Sequence, residues 1–211
     1  MRIVGLTGGI ATGKSAFAEA LRAEGAPVVD ADRLARDAVA EGSEALGEIA
    51  AAFGPEVLAP GGGLDRRRMA ERVFADPSAR ARLEAIVHPR VRALFRREVA
   101  ALAAAGHTLV FYDVPLLYEV GLQGEVELVV VVWAPRETQL ARLAARDGLS
   151  PAEAQARLAA QLPIDEKAAR ADAVVANDGE RAALASKAAQ LLTDLRAGLS
   201  RKLPNAAPRR Y

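Results

Sequence analysis

RIVGLTGGIATGKS, residues 2–15, opens the chain with an apolar run rich in β-branched residues (Ile3, Val4, Leu6) and passes into Gly8-Gly9-Ile10-Ala11-Thr12-Gly13-Lys14-Ser15. The second part fits GxxxxGK[ST], the phosphate-binding loop that follows a first strand. Phe17, Ala20 and Leu21 then recur at helical spacing until Gly25 and Pro27 end the pattern, so the order is strand, glycine loop, helix. A triphosphate is met by converging backbone N–H groups, and Gly8 and Gly13 keep side chains out of their way. The helix behind the loop turns its positive end toward the phosphates. Lys14 can reach the β- and γ-phosphates, and Ser15 can ligate Mg²⁺. The stretch Gly8–Ser15, with Ala16 behind it, is a candidate site for ATP or GTP, and the loop alone leaves the chemistry open.

A chain of 211 residues with 51% hydrophobic and 26% charged residues and a formal net charge of +1 can bury a full core. It carries no global field favouring nucleic acid. There is no cysteine, which excludes disulfides and thiolate chemistry, and His88 and His107 are the only histidines. The longest apolar run, Leu128 to Ala134, is too short for a bilayer. A cytoplasmic protein with no membrane, nucleic-acid or obligate protein partner is the expectation.

Downstream, GAPVVDAD (Gly25 to Asp32) reads as a short buried strand. If the strand persists, Asp30 and Asp32 share a face at its C-terminal end, where open parallel sheets bind ligands. Either aspartate could accept a hydroxyl proton near a γ-phosphate, or could cap the helix starting near Arg33, and spacing leaves these readings equal. Residues 33–105 are helical in pattern, broken at Gly54-Pro55, Pro60 to Gly63, Asp76-Pro77 and His88-Pro89. This block is too long for a crossover and reads as an inserted helical subdomain holding the acceptor. Its arginines (66, 67, 68, 72, 80, 82, 90 and 92) suit an anionic substrate or form a solvated face. His88, before a proline, has a local cap or turn contact as its default role and a substrate contact as the alternative.

TLVFYDV (Thr108 to Val114) is an apolar strand ending in Asp113, where a carboxylate can hold Mg²⁺; a strand-end cap is the other reading. EVELVVVVWA (Glu125 to Ala134) is a central strand buried on both faces. Pro135 starts a helix whose Arg142 and Arg146, four apart, share a face and could clamp a transferring phosphoryl group. The hinged stretch to residue 170 reads as a lid. DAVVAN (Asp172 to Asn177) is a last strand, a helix follows from Glu180 to about Leu199, and the tail from Lys202 is expected to fray. The sum is an α/β fold with a five-stranded parallel sheet. Its nucleotide-binding core comprises residues 1–32, 106–135 and 171–200, with a helical subdomain at 33–105, a lid at 136–170 and a tail at 201–211.

Leu6-Thr7-Gly8-Gly9-Ile10, Asp30-Ala31-Asp32, His88-Pro89, DVPLLYE (113–119), Arg146-Asp147-Gly148 and Asn177-Asp178-Gly179 occur in the order and spacing of dephospho-CoA kinases, and the chain resembles that family as far as Leu199. The resemblance implies that ATP phosphorylates the ribose 3′-hydroxyl of dephospho-CoA, giving CoA and ADP. It further implies that Asp32 is the base and that Thr7, His88 and the segment Asp113, Leu116, Leu117, Tyr118 and Glu119 meet the substrate. Arg142 and Arg146 would be lid cations, and Asn177 would lie near the adenine. Ala11 and Ala16 stand where the family commonly has glycine and a hydroxyl residue. Nucleoside monophosphate kinases are disfavoured because DVPLL stands in place of their DGFPR-like run. GTP switches are disfavoured because neither Asn177 nor Asn205 is followed by lysine.

Overall fold

The computed structural model describes residues 1–179, 182–198 and 208–211. The chain divides into two compact units, one formed by Met1–Val29 with Leu102–Tyr211 and the other by Asp30–Ala101.

In the first unit, β1 (Arg2–Gly8) runs into the loop and α1 (Lys14–Ala23). Then come β2 (Val28–Asp30), which ends one residue beyond this unit, β3 (Leu109–Asp113), β4 (Leu128–Trp133), β5 (Ala173–Ala176) and β6 (Arg209–Arg210). The sheet has the order β2-β3-β1-β4-β5-β6. β1 lies parallel to both β3 and β4, with Leu6 opposite Asp113 on one side and Val130 on the other. This register brings the end of β1, and therefore the loop, level with the end of β3. Val129 to Val132 are all buried, as a central parallel strand covered on both faces requires. On one face α1 packs with α9 (Ala183–Arg196), burying Phe17, Leu21, Leu191, Leu192 and Leu195 against Val4, Leu6 and Val130. Beyond β4 the chain forms α6 (Arg136–Asp147), α7 (Pro151–Ala159) and α8 (Ile164–Arg170). The expected start of α9 at Glu180, like Leu199, Lys202, Pro204 and Asn205, falls outside the described residues.

The sheet has six strands, not five. The segment expected to fray instead adds β6 to the edge of β5, with Arg209 N–H donating to Asp172 O and Tyr211 N–H to Val174 O. Tyr211 packs against the core, and its hydroxyl donates to Asp194 Oδ2 at 2.6 Å. Burial, reinforced by Asp194, pushes its phenol up to about 12 from the ordinary 10.0. An unfolded chain therefore loses this proton first as pH rises. The stabilisation is complete below pH 10 and drains away between about 10 and 12. Melting curves of the wild type should fall more steeply over that window than those of Tyr211→Phe, and parallel curves would remove this role from the phenol.

In the second unit, α2 (Ala31–Ala38), α3 (Glu44–Phe53), α4 (Arg66–Ala75) and α5 (Pro77–Ala104), which ends just beyond it, surround a small core of Ile49, Phe53, Val57 and Met69. Asp30, Ser43 and Asp65 cap the first three of these helices through the N–H groups of Arg33, Leu46 and Arg68. Two expectations fail here. The helix does not break at His88-Pro89: α5 runs through Pro89 and leaves His88 exposed in mid-helix rather than at a cap. Leu83, Ile86 and Val87 pack on the core and hold the turn before the proline, and Arg90 Nη1 donates to the Ile86 carbonyl at 3.1 Å. The strand also stops at Asp30, so Asp30 and Asp32 do not share a strand face. Of the eight arginines singled out, Arg67, Arg68, Arg72 and Arg90 are paired with Glu71, Asp65, Glu56 and Glu48 of the same unit, and Arg82 lies over the Phe53 ring at 5.1 Å.

Candidate active site

The loop is built so that glycine is required at Gly8 and Gly13. A Cβ on Gly8 would lie 2.7 Å from Thr12 Oγ1 and 2.8 Å from Val132 O, and one on Gly9 would lie 2.7 Å from Gln139 Oε1. Gly13 has φ +88, and a Cβ there would meet Asn177 Nδ2 at 2.1 Å. Ala11 holds φ 59, the left-handed region where a Cβ is strained, which is the physical sense of a glycine at that place. Thr12 ties the loop to itself through Oγ1 to Gly9 O at 2.9 Å.

Lys14 begins α1, and its ammonium forms an ion pair with Asp113 at the end of β3. The two side chains are 14% and 7% exposed. Ser15 lies next on the helix and is exposed. A serine hydroxyl and a carboxylate are hard oxygen donors of the kind magnesium takes, and two protein ligands suit an ion that keeps phosphate and water oxygens. Among the described residues no cluster of three or more acids or histidines could hold a metal by itself. The residues present therefore fit magnesium as a partner of bound phosphate.

Asn177, at the end of β5, is buried and donates from Nδ2 to Thr12 O at 2.7 Å, while its backbone carbonyl accepts from Arg142 Nη2 at 3.1 Å. It thus buttresses the loop directly. Arg142 Nη1 is buried with no partner among the described residues. Arg146, on the same helix, is engaged differently: it forks onto Asp147 at 2.7 and 3.0 Å, and Arg157 reaches the same carboxylate at 2.7 Å. The Arg146 guanidinium, with Arg157 beside it, holds the Asp147 carboxyl below its usual range.

Thr7 is buried and donates to Pro115 O at 3.0 Å. Leu116 is 39% exposed, whereas Leu117 is fully buried with no surface to offer a substrate, its Cδ1 lying 2.7 Å from where a Gly5 Cβ would be. Arg170 lies over the Tyr118 ring at 4.4 Å. Glu119 Oε1 accepts from Leu162 N–H at 3.1 Å and from Lys167 Nζ at 2.7 Å.

Lys167 and Gln161 are the contacts that sequence reasoning missed. Gln161 Oε1 accepts from the loop N–H of Ile10 at 2.9 Å. It lines a cleft of about 370 Å³ with Gly9, Ile10, Arg136, Gln139 and Asp165. Lys167 is fully buried beneath the loop. One signal was present: Ile164, Lys167, Ala168 and Ala171 are spaced as one buried helical face, and a lysine on such a face needs partners.

In the second unit the two aspartates separate by job. Asp30 accepts from Arg33 N–H at 3.0 Å and caps α2. Asp32, on the first turn, is exposed and makes no side-chain hydrogen bond or ion pair among the described residues.

A family model for dephospho-CoA kinase matches residues 2–183. A dephospho-CoA kinase of Anaeromyxobacter dehalogenans is 67% identical over 211 residues, 100% of each chain. Two solved structures are similar over most of their length. One is a Thermus thermophilus protein with TM-score 0.79 and 41% identity, covering 92% of this chain and 97% of that one. The other is a dephospho-CoA kinase from Campylobacter jejuni with TM-score 0.71 and 30% identity, covering 94% and 99%. With a phosphate loop that requires glycine at Gly8 and Gly13 and a family match that spans both units, the chain belongs to the dephospho-CoA kinase family.

Proposed function

We infer that this chain transfers the γ-phosphoryl group of ATP to the ribose 3′-hydroxyl of dephospho-CoA, giving ADP and CoA, and that it does so in the cytoplasm. The observation that carries this reading is the family match over residues 2–183, which includes the loop, Lys14, Asp32 and Asp113. Phosphoryl transfer asks little covalent chemistry of a protein and much positioning and charge stabilisation.

Loop N–H groups and the start of α1 would receive the phosphates, and Lys14 would leave Asp113 to follow the β- and γ-oxygens. Arg142, whose Nη1 has no partner among the described residues, would meet the nucleotide from α6. Arg146 would act only on exchanging Asp147 for phosphate. Magnesium, when bound by Ser15 and Asp113, supplies neutralisation of the phosphate charge. Asp32 would accept or orient the 3′-hydroxyl proton, since Asp30 is committed to its cap. The unit Asp30–Ala101 would hold the acceptor, Thr7, Leu116 and Tyr118 would line the substrate channel, and residues 136–170 would close over the nucleotide as a lid.

The test is an acceptor panel of dephospho-CoA, AMP, CMP and UMP, with ATP and magnesium. The product of the first should be identified by phosphorus NMR as a 3′-phosphate. Turnover of a nucleoside monophosphate with dephospho-CoA untouched would overturn the assignment.

A further inference from the structure

We propose that Lys167 is a positioning residue for phosphoryl transfer, one that fixes the first glycine of the phosphate loop against the segment after β3 and the α7–α8 connection. The proposal rests on the kinase reading above. The Lys167 side chain is 0% exposed, and Nζ lies 2.7 Å from Glu119 Oε1, 3.3 Å from Gly8 O and 3.3 Å from Pro115 O. An ammonium has three N–H donors and no acceptor. All three are matched, one by the phosphate loop at Gly8 and two by the segment after β3, at Pro115 and Glu119.

Those stretches meet the site. Gly8 closes β1 and opens the loop, and a Cβ built on it would collide with Thr12 Oγ1 and Val132 O. Pro115 O also takes the Thr7 hydroxyl, and Glu119 also takes the Leu162 N–H. A single cation thus joins the loop, the DVPLLYE segment and the turn before α8.

Its charge is cancelled by Glu119, so Lys167 adds little net field at the phosphates, and Lys14 remains the cation for them. What Lys167 contributes is distance and orientation. An ion pair with one end out of water stabilises a fold weakly, because desolvation offsets the attraction, and removing both partners together is often tolerated. Geometry does not recover so readily: a misplacement of about 1 Å at a site away from the chemistry can cost about 10²-fold in rate.

The double variant Lys167→Met/Glu119→Gln separates these terms. Lys167→Met alone strands a carboxylate and is expected to lower Tm sharply. In the double variant Tm should return to within a few degrees of wild type. Its kcat should stay about 10- to 10²-fold down with smaller changes in either KM. Amide hydrogen exchange over residues 8–14 should be faster than in the wild type. A double variant with wild-type kcat and wild-type loop exchange would show the lysine to be structural filler and overturn the proposal. If the wild-type protein lacked kinase turnover, the kinase reading would fail while the exchange measurement still decided whether Lys167 orders the loop.

Discussion

Asp32→Asn should lower kcat by about 10²- to 10⁴-fold, the range for losing one general base, while leaving KM for both substrates near wild type. The substitution keeps size and hydrogen-bonding capacity at the second residue of α2 and removes only the basic oxygen. Its cost to the fold is small. Asp30 still caps the helix, and an acid in the first turn of a helix is worth about 0.3–1 kcal/mol, a Tm change of no more than about 4 °C in a chain of this size. Asp30→Ala should give the opposite pattern, a stability loss of about 1 kcal/mol with far less effect on turnover. The pair therefore distinguishes base from cap at two positions separated by one residue. Unchanged turnover in Asp32→Asn would remove the base role.

That separation shows where sequence reasoning ended. DAD was legible as two carboxylates at the end of a strand, but whether the strand reached Asp32 depended on a boundary that alternation cannot locate. The chain turns helical at Ala31, and the first aspartate then takes the cap. The phosphate loop was readable because it is local: glycine positions, the lysine and the following helix all lie within a few residues. β6 was not, because its stability comes from pairing with β5 and from Tyr211 meeting Asp194, contacts that no local pattern around Pro208 announces. The break expected at Pro89 failed for a similar reason, with core packing of Leu83, Ile86 and Val87 overriding the local preference of a residue before proline.

The candidate site divides in the same way. Lys14, Ser15 and Asp113 could be placed from the motif and from strand ends. The buttressing contacts could not, Asn177 being expected near the adenine and Gln161 and Lys167 not at all, because all three reach the loop from 151 to 165 residues away in sequence. Lys167 carried a usable hint in its spacing with Ile164 and Ala168, yet its partners, two backbone carbonyls and Glu119, are visible only in three dimensions.

Lys14→Met should reduce kcat by about 10²- to 10³-fold or more, the effect of deleting one preorganised donor to a developing negative charge. It should also abolish much of the thermal stabilisation by ATP. A ligand at 100 times its Kd adds about 2.7 kcal/mol to a fold it binds, and a variant whose affinity falls far below the working concentration shows none of it. Methionine matches the length of the lysine stem, so lost packing contributes little and the missing charge dominates. The free protein also pairs this ammonium with Asp113, whose side chain is 7% exposed. Removing one partner of such a buried pair typically costs about 3–5 kcal/mol, less here to the extent that the other contacts of Asp113 take up its charge. The variant should therefore melt lower than wild type and gain little from ATP, so turnover must be read well below its Tm. Adding Asp113→Asn should recover stability, because it neutralises the stranded carboxylate, and should not recover turnover, because the loop's own cation is still missing and a proposed magnesium ligand is lost with it. Turnover of Lys14→Met within tenfold of wild type, with the ATP-induced Tm shift intact, would show that the nucleotide's terminal phosphate is held somewhere other than this loop.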